Sequence, residues 1–201
     1  MYNLTHLIQD DHQQVLGPIQ DDEALLLYSI IRTMRLHNII EIGGLNGYSA
    51  TNFSKAIVDG KIYTVDISPC NRVSDNHIVI HKDCRLVTKA DIPDKIDMVF
   101  FDAHVYDEQI SFYDVLKSNG IIDENVVLAF HDTNLHPTQI CDSYYLENEK
   151  GWCHQPVERN LVEYFKKEGF DALCFHTKLD EHTIPARHGL TVMKKYKTLT
   201  T

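Results

Sequence analysis

The sequence has few of the features that would direct a chain to a membrane, to nucleic acid or to an oxidising compartment. Its 201 residues contain no apolar run near the roughly 20 residues that cross a bilayer, and the N-terminus has no basic, signal-like region. Its five cysteines are odd in number and form no Cys-x-x-Cys pair, which favours reduced thiols. A formal charge of −10 argues against nucleic acid or an anionic membrane as the main partner. We therefore expect a cytoplasmic protein with no nucleic-acid and no membrane partner.

The glycine-rich stretch of the chain also lacks the usual phosphate-binding patterns. Gly43, Gly44 and Gly47 follow an apolar run of strand length, so a tight turn into a helix is expected there. A dinucleotide fingerprint ending at Gly47 would need glycine at position 42, where Ile42 stands, and no Gly-Lys-Ser/Thr follows. A nicotinamide-dependent oxidoreductase is therefore disfavoured, although an ordinary β-to-α turn would explain the glycines alone.

Apolar segments of strand length alternate with amphipathic segments of helical length through most of the chain. Strands are predicted at 38–42, 61–66, 77–81, 95–102, 126–130, 170–176 and 189–195. Helices are predicted at 21–35, 48–57, 107–117 and 157–167. This alternation predicts a single α/β domain over residues 1–201, with a mainly parallel sheet covered by helices on both faces. Residues 1–18 are expected to form an N-terminal arm, and residues 133–156 an irregular active-site loop.

Four of the predicted strands have an acid at or just beyond their carboxyl end, in the order Glu41, Asp66, Asp102 and Asp132. In open parallel sheets, ligands bind beyond the carboxyl ends of the strands. Four acids that converge on one edge therefore indicate a ligand site. An acid such as Glu41 at the end of an apolar strand is costly to bury alone, and it suits a ligand that presents an ammonium group. The ordinary-turn alternative explains Glu41 poorly.

These motifs, in this order and spacing, resemble those of the class I S-adenosylmethionine-dependent methyltransferases, and in particular bacterial small-molecule O-methyltransferases of the catechol and macrolide-sugar types. The resemblance rests on the stretches 41–49, 65–66, 101–104 and 130–133 and on the closing helix–strand–strand unit. It implies a Rossmann-like, doubly wound sheet of seven strands with an antiparallel last strand. It also implies an enzyme that transfers methyl from S-adenosylmethionine to a hydroxyl oxygen of a small-molecule acceptor.

The resemblance assigns roles at the cofactor. Glu41 and the glycine turn would hold the methionine part, and Asp66 would accept hydrogen bonds from the ribose hydroxyls. Asp83, after the third strand, would contact adenine; the alternative is that Asp83 caps a helix. The full set of implied cofactor ligands is Glu41, Gly43, Gly44, Gly47, Tyr48, Ser49, Asp66, Asp83 and Asp102.

Asp102 and Asp132 stand where the metal-dependent members of this family hold their ion. Two carboxylates with the amide oxygen of Asn134 would form an oxygen set suited to Mg²⁺, or to Ca²⁺ or Mn²⁺. Thr133 stands where those members often carry Asn or Asp, so a site without a metal is the alternative.

Two histidines flank the same acids. His104 and His131 are candidate general bases because imidazole titrates near neutrality, and with Asp102 they form the predicted catalytic set. The alternative for His131 is that it only orients Asp132 by hydrogen bonding. A chain that kept this pocket without the chemistry would be a cofactor-binding regulatory protein, which the retained acids and histidines disfavour. Association into a homo-oligomer is left open.

The segment 133–156 carries the aromatic residues Tyr144, Tyr145 and Trp152. They are expected either to line the acceptor pocket under a covering loop or to pack beneath that loop. The same segment contains four histidine and cysteine residues, the types that bind zinc, but their spacing matches no tight ligand pair, so no zinc site is predicted. These residues are His136, Cys141, Cys153 and His154.

Overall fold

The protein is described by a computed structural model, which covers residues 19–134, 156–176 and 189–196 and the backbone of 146–148 and 151–153. The elements up to the middle of the chain are α1 (Asp21–Met34), β1 (Ile39–Ile42), α2 (Tyr48–Ala56), β2 (Ile62–Asp66), β3 (His77–His81), β4 (Met98–Phe101), α3 (Tyr106–Ser118) and β5 (Val127–Phe130). Those that follow are β6 (Leu146–Asn148), β7 (Gly151–Cys153), α4 (Val157–Lys167), β8 (Asp171–Phe175) and β9 (Leu190–Lys194). None of the described helices combines the length and the apolar character needed to span a membrane.

Among the described residues, seven strands form one sheet in the order β3-β2-β1-β4-β5-β9-β8. The first five of these run parallel, whereas β9 is antiparallel to both β5 and β8. The register pairs Ile42 with Val65 and with Phe101, and Phe101 with Phe130, so the residues that directly follow these positions share one edge. The predicted seven-stranded, mostly parallel sheet with an antiparallel last strand is confirmed.

The side chains of each strand point alternately to two apolar layers. On one face, Ile40, Phe101 and Phe130 join the core formed with α3 and α4. On the other face, Ile39 and Phe100 join the core formed with α1 and α2. Because both faces are covered, the central strands read as continuous apolar runs. The predicted placement of helices on both faces is confirmed.

The start of α1 is fixed by its own third residue. The backbone N–H of Gln20 donates to Oε2 of Glu23 at 2.9 Å, which satisfies a donor that the helix itself leaves unpaired. Asp21, Asp22 and Glu23 also place negative charge in the first turn, where it suits the helix dipole. This hydrogen bond holds the Glu23 carboxylate in one orientation, in which it also contacts His131.

The structure differs from the sequence predictions at two places. β4 begins at Met98 rather than at residue 95, and at Asp97 the carboxylate instead accepts hydrogen bonds from the backbone N–H groups of His37 and Asn38. The prediction that residues 133–156 are irregular is wrong at 146–148 and 151–153, where β6 and β7 form an antiparallel pair.

Several predicted features lie outside the described residues. They are the N-terminal arm (1–18), the side chains of Tyr144, Tyr145 and Trp152, and the rejected zinc group His136, Cys141, Cys153 and His154. The expectation that 133–156 covers the acceptor pocket therefore stays a prediction.

The backbone after β1 passes close to the backbone after β4 at Gly43. This residue has φ of 89°, and a Cβ there would lie 2.4 Å from the backbone oxygen of Asp102. Glycine is therefore required both by conformation and by close approach. Gly120 also has a positive φ, of 62°, but a Cβ there would meet no atom within 4 Å.

We expect Gly43→Ala to lower the free energy of unfolding by roughly 2–4 kcal/mol, because backbone strain and the clash with Asp102 add together. Gly120→Ala is the control, since it has the strain without the clash and should cost roughly 1–2 kcal/mol. Urea denaturation of the parent and both variants measures the difference. Equal losses in the two variants would contradict the close contact.

Candidate active site

Glu41 lies in β1, an interior strand of the sheet, and is fully buried. Its Oε2 accepts a hydrogen bond from the Ser49 hydroxyl and its Oε1 from the Thr64 hydroxyl, each at 2.5 Å. Burial raises the pKa of Glu41 to about 7; the two hydroxyls oppose this rise, and the carboxylates of Asp102 and Asp66 add to it. Within the described part of the chain, Glu41 forms no ion pair with Lys, Arg or His. A ligand cation would therefore stabilise its charged form.

Asp66, the last residue of β2, binds the glycine turn. Its Oδ2 accepts hydrogen bonds from the backbone N–H of Gly44 at 3.0 Å and of Leu45 at 3.4 Å, and its Oδ1 accepts one from Ser68 at 2.7 Å. A carboxylate has about four acceptor positions. Backbone N–H groups of the turn and the following loop use three of them.

The other predicted cofactor residues lie on the turn and at the start of α2. Gly47 precedes α2 with φ of 79°, Tyr48 is half-buried, and Ser49 is buried against Glu41. The structure therefore brings the stretch 41–49 together with Asp66 at the carboxyl ends of β1 and β2.

Asp83 has partners of its own. Its side chain accepts a hydrogen bond from the backbone N–H of Arg85 at 2.9 Å and so caps the short 3₁₀-helix Cys84–Leu86. It also pairs with the Arg85 guanidinium at 2.5 Å. The capping role that the sequence left open is therefore present, and a contact between Asp83 and adenine stays a prediction.

His131 is fully buried between three carboxylates. Its Nε2 lies 3.0 Å from Oε2 of Glu23, and its Nδ1 lies 3.2 Å from Oδ1 of Asp102 and 3.5 Å from Oδ1 of Asp132. Burial alone would lower the pKa of His131, but the charges of Asp132, Asp102 and Glu23 outweigh burial and hold the pKa well above its usual value. Both ring nitrogens therefore donate, and the imidazolium neutralises part of the negative charge at this edge.

Glu23 connects three elements around this histidine. Besides Gln20 and His131, it accepts a hydrogen bond from the backbone N–H of Gly189, which lies just before β9, at 2.5 Å. Burial would raise the pKa of Glu23, but the charge of His131 and these hydrogen bonds together lower it. One side chain thereby joins the start of α1 to the end of β5 and the start of β9.

His104 is the accessible histidine, with 20% of its side chain exposed against none for His131. Its Nδ1 lies 2.9 Å from Oε1 of Glu158, a buried residue in the first turn of α4. Its Nε2 lies 3.5 Å from Oδ1 of Asp102 and 3.8 Å from Oδ2 of Asp132. Glu158 therefore orients the ring so that Nε2 faces the two aspartates.

Asp102, His104 and Asp132 bring three potential metal ligands within 4.8 Å of one another. His104 and Asp132 both have left-handed backbone, with φ of 57° and 55°, a strained conformation that persists only where the surroundings determine it. Asn134, the predicted third ligand, is buried, and a Cβ built on Gly189 would lie 2.4 Å from its Cβ. Its role as a metal ligand stays a prediction.

Sequence reasoning missed four polar side chains that support the site. Each is buried in the structure, although the neighbouring sequence does not indicate its hydrogen-bond partner. The only signal for two of them is a polar residue within or beside an apolar strand, and for the other two an acid in the first turn of a helix. They are Thr64, His77, Glu23 and Glu158.

The sequence model of the O-methyltransferase family matches residues 3–125, well over half of the chain. Among curated proteins, none matches the chain.

Solved structures share the fold at low sequence identity. The S-adenosylhomocysteine-bound methyltransferase PaMTH1 of Podospora anserina is 14% identical with a TM-score of 0.61, over 98% of this chain and 89% of that one. An O-methyltransferase of Bacillus cereus in complex with S-adenosylhomocysteine is 13% identical with a TM-score of 0.60, over 96% and 90%. The O-methyltransferase TomG of Streptomyces achromogenes, involved in tomaymycin synthesis and solved with S-adenosylmethionine, is 17% identical with a TM-score of 0.59, over 90% and 82%.

The pKa values of Glu41 and Glu23 predict opposite effects of pH on stability. The pKa of Glu41 is about 7 in the folded chain against 4.5 for an ordinary glutamate. Its stabilising contribution is therefore fully present below pH 4.5 and lost as the pH rises through 7, by about 3 kcal/mol in all. Glu41→Gln should remove this loss, so its stability relative to the parent should increase from pH 5 to pH 8.

Glu23→Gln is the matched variant of opposite sign. Because the pKa of Glu23 is lowered, its contribution is present above pH 4.5 and lost as the pH falls. The substitution should destabilise the protein most near pH 8 and progressively less towards pH 4. Urea unfolding of the ligand-free parent and both variants across this range tests the two trends. Parallel pH profiles for the two variants would contradict the opposite pKa shifts of Glu41 and Glu23.

Proposed function

The chain belongs to the O-methyltransferase family, and we propose that it transfers a methyl group from S-adenosylmethionine to a hydroxyl oxygen of a small-molecule acceptor. That membership confirms the class of enzyme expected from the sequence. The observation that carries the proposal is the buried carboxylate of Glu41 beside the Asp66-bound glycine turn, on the same edge as Asp102, His104 and Asp132. The relatives solved with S-adenosylmethionine or S-adenosylhomocysteine support the choice of cofactor.

The donor and acceptor groups of this edge fit that cofactor, which supplies the electrophilic methyl group when bound. Glu41 would attract its ammonium group, because burial leaves this carboxylate dependent on a nearby cation. Asp66 would accept a hydrogen bond from a ribose hydroxyl in addition to those that it accepts from the backbone.

Among the described residues, carboxylates predominate beside the place proposed for the methyl acceptor. Four carboxylates, those of Glu23, Asp102, Asp132 and Glu158, lie around His131 and His104. The His131 imidazolium supplies one positive charge from a fully buried position, so we assign it the orienting and charge-balancing role rather than that of general base. The carboxylates of Asp102 and Asp132 both face Nε2 of His104.

A divalent metal ion fits this place, with Asp102 and Asp132 giving carboxylate oxygens and His104 an imidazole nitrogen. Bound there, it would act as a Lewis acid that lowers the pKa of the acceptor hydroxyl. Imidazole nitrogen is a poor ligand for Mg²⁺ and Ca²⁺, so this set favours Mn²⁺ among the three ions expected from the sequence. Asn134 in place of His104 would favour Mg²⁺ instead.

The second arrangement uses His104 as the general base without a metal ion. It is favoured by the partial exposure of His104 and by Glu158, which accepts the Nδ1 hydrogen and leaves Nε2 to take the proton of the acceptor hydroxyl. Because Nε2 cannot hold a metal ion and take a proton at once, the two arrangements exclude each other. We propose the metal-assisted arrangement, since the carboxylates that face Nε2 favour a cation there.

Calorimetry should detect binding of S-adenosylhomocysteine and no binding of NAD or NADP. Asp66→Ala should weaken the binding by roughly 1–3 kcal/mol, the range for a hydrogen bond to a charged group. Asp75→Ala is the control, because Asp75 lies in the loop after β2 and pairs with Arg72 at the surface. Tight binding of NAD with no response to S-adenosylhomocysteine would end the methyltransferase proposal.

Chelation separates the two catalytic arrangements. With a metal ion, calorimetry should show a Mn²⁺ site that Asp132→Asn removes, and chelator should abolish methyl transfer to a panel of phenols and sugars until Mn²⁺ or Mg²⁺ is restored. His37→Ala is the matched control for His104→Ala, since His37 pairs with Asp59 at 2.8 Å away from this edge. If activity instead survives chelation and falls roughly 10²–10⁴-fold in His104→Ala alone, His104 is the base.

A further inference from the structure

A chain of buried polar groups lies behind Glu41, on the side away from Ser49. Thr64 of β2 is paired in register with Glu41 of β1, and His77 is the first residue of β3, the next strand. Thr64 and His77 are both buried, and the Thr64 hydroxyl lies 2.6 Å from Nε2 of His77. The other ring nitrogen, Nδ1, lies 3.2 Å from the backbone nitrogen of Val73.

The backbone N–H of Val73 determines the direction of each hydrogen bond between Val73 and Glu41. The backbone N–H of Val73 can only donate, so Nδ1 of His77 accepts and the ring hydrogen is on Nε2. Nε2 then donates to Oγ1 of Thr64, which leaves the single hydroxyl hydrogen of Thr64 for Oε1 of Glu41. A neutral His77 with this tautomer therefore commits the Thr64 hydroxyl to Glu41.

We propose that His77 is a positioning residue for cofactor binding, which acts through Thr64 to hold the Glu41 carboxylate ionised and aimed at the ammonium group of the ligand. This rests on the proposed binding of S-adenosylmethionine. His77 does not touch the ligand in this assignment. With His77 in place, the hydroxyl hydrogen of Thr64, one of the two hydroxyl donors to Glu41, stays directed at the carboxylate.

The charges around these hydrogen-bonded groups explain why the Thr64 hydroxyl matters for the ionisation of Glu41. Asp66 at the end of β2 and Asp102 after β4 both disfavour the ionised form of Glu41, as does burial. In the described part of the chain, the groups that oppose them are the hydroxyls of Ser49 and Thr64. Removing one should therefore raise the pH needed to ionise Glu41.

The neutral form of His77 is favoured by its surroundings. Burial lowers the pKa of His77, and the charge of Arg72 in the preceding loop lowers it further. The thiol of Cys70, the other titratable group of this loop near Glu41, stays protonated because burial raises its pKa to about 12. Both shifts favour the neutral forms of His77 and Cys70 in the range in which Glu41 titrates.

A purely structural role for His77 is the competing explanation, because its bond to Val73 also holds the loop 67–76. The side chain of Val73 packs on the glycine turn, where a Cβ on Gly47 would lie 2.7 Å from its Cγ1. Thr64→Val separates the two roles, since it removes the hydroxyl and leaves the His77–Val73 bond in place.

The test is the pH dependence of S-adenosylhomocysteine binding, measured by calorimetry from pH 6 to pH 9. In the parent, affinity should rise as the pH approaches about 7, the pKa of Glu41, and fall again where the ligand's own ammonium group loses its proton. In Thr64→Val and His77→Leu, affinity at pH 7 should be about tenfold below that of the parent, the lower limit for losing a hydrogen bond to a charged group. At pH 9 it should come within about threefold of the parent measured at the same pH. Thr64→Ser should match the parent, and His77→Gln, which keeps an N–H donor near the position of Nε2, should recover part of the loss.

Thr191→Val is the matched control, because Thr191 is a fully buried threonine of β9 whose hydroxyl donates to Thr133. It should lower the melting temperature as Thr64→Val does and leave the pH profile of binding unchanged. A loss in Thr64→Val and His77→Leu that is the same at every pH, or no loss, would overturn the positioning role. A parent that fails to bind S-adenosylhomocysteine at any pH would instead overturn the proposed function.

Discussion

The burial of several carboxylates at one edge of an apolar sheet is the constraint on which the rest of the structure depends. Parallel strands place their carboxyl ends side by side, so the acids at the ends of β1, β2, β4 and β5 become neighbours. Burial makes a charge costly unless donors compensate it. Glu41 receives two hydroxyls, Asp66 receives backbone N–H groups, and Asp102 and Asp132 share the His131 imidazolium.

His131 makes this edge rigid before any ligand arrives. A buried ion pair is expensive to form and still more expensive to break by removing one partner. Because His131 faces Glu23 on one side and the two aspartates on the other, it fixes α1 against the ends of β4 and β5. The groups left for a ligand are then already oriented, which is the condition under which electrostatic contacts favour a transition state.

The sequence was sufficient for the existence of the seven strands of the main sheet and for the four terminal acids, because an apolar run ending in a carboxylate is a local pattern. It was not sufficient for their partners. Glu23 contacts His131 over 108 positions and Glu158 contacts His104 over 54, and these contacts depend on how helices pack on the sheet. The position of His104 beside the two aspartates goes with left-handed backbone at His104 and Asp132, which the residue pattern does not predict. The strands β6 and β7 are three residues each, too short for an alternating pattern to reveal them.

Glu23 has a consequence for how this sequence can change over evolutionary time. The residue is a helix cap, the counter-ion of His131 and the acceptor for Gly189, so three otherwise separate parts of the chain share one side chain. A change at position 23 would leave a buried imidazolium facing two aspartates with one partner fewer, whereas a change at 131 would leave Glu23 without its cation. Positions 23 and 131 should therefore be inherited as a pair among homologous sequences, with acid and histidine lost or replaced together.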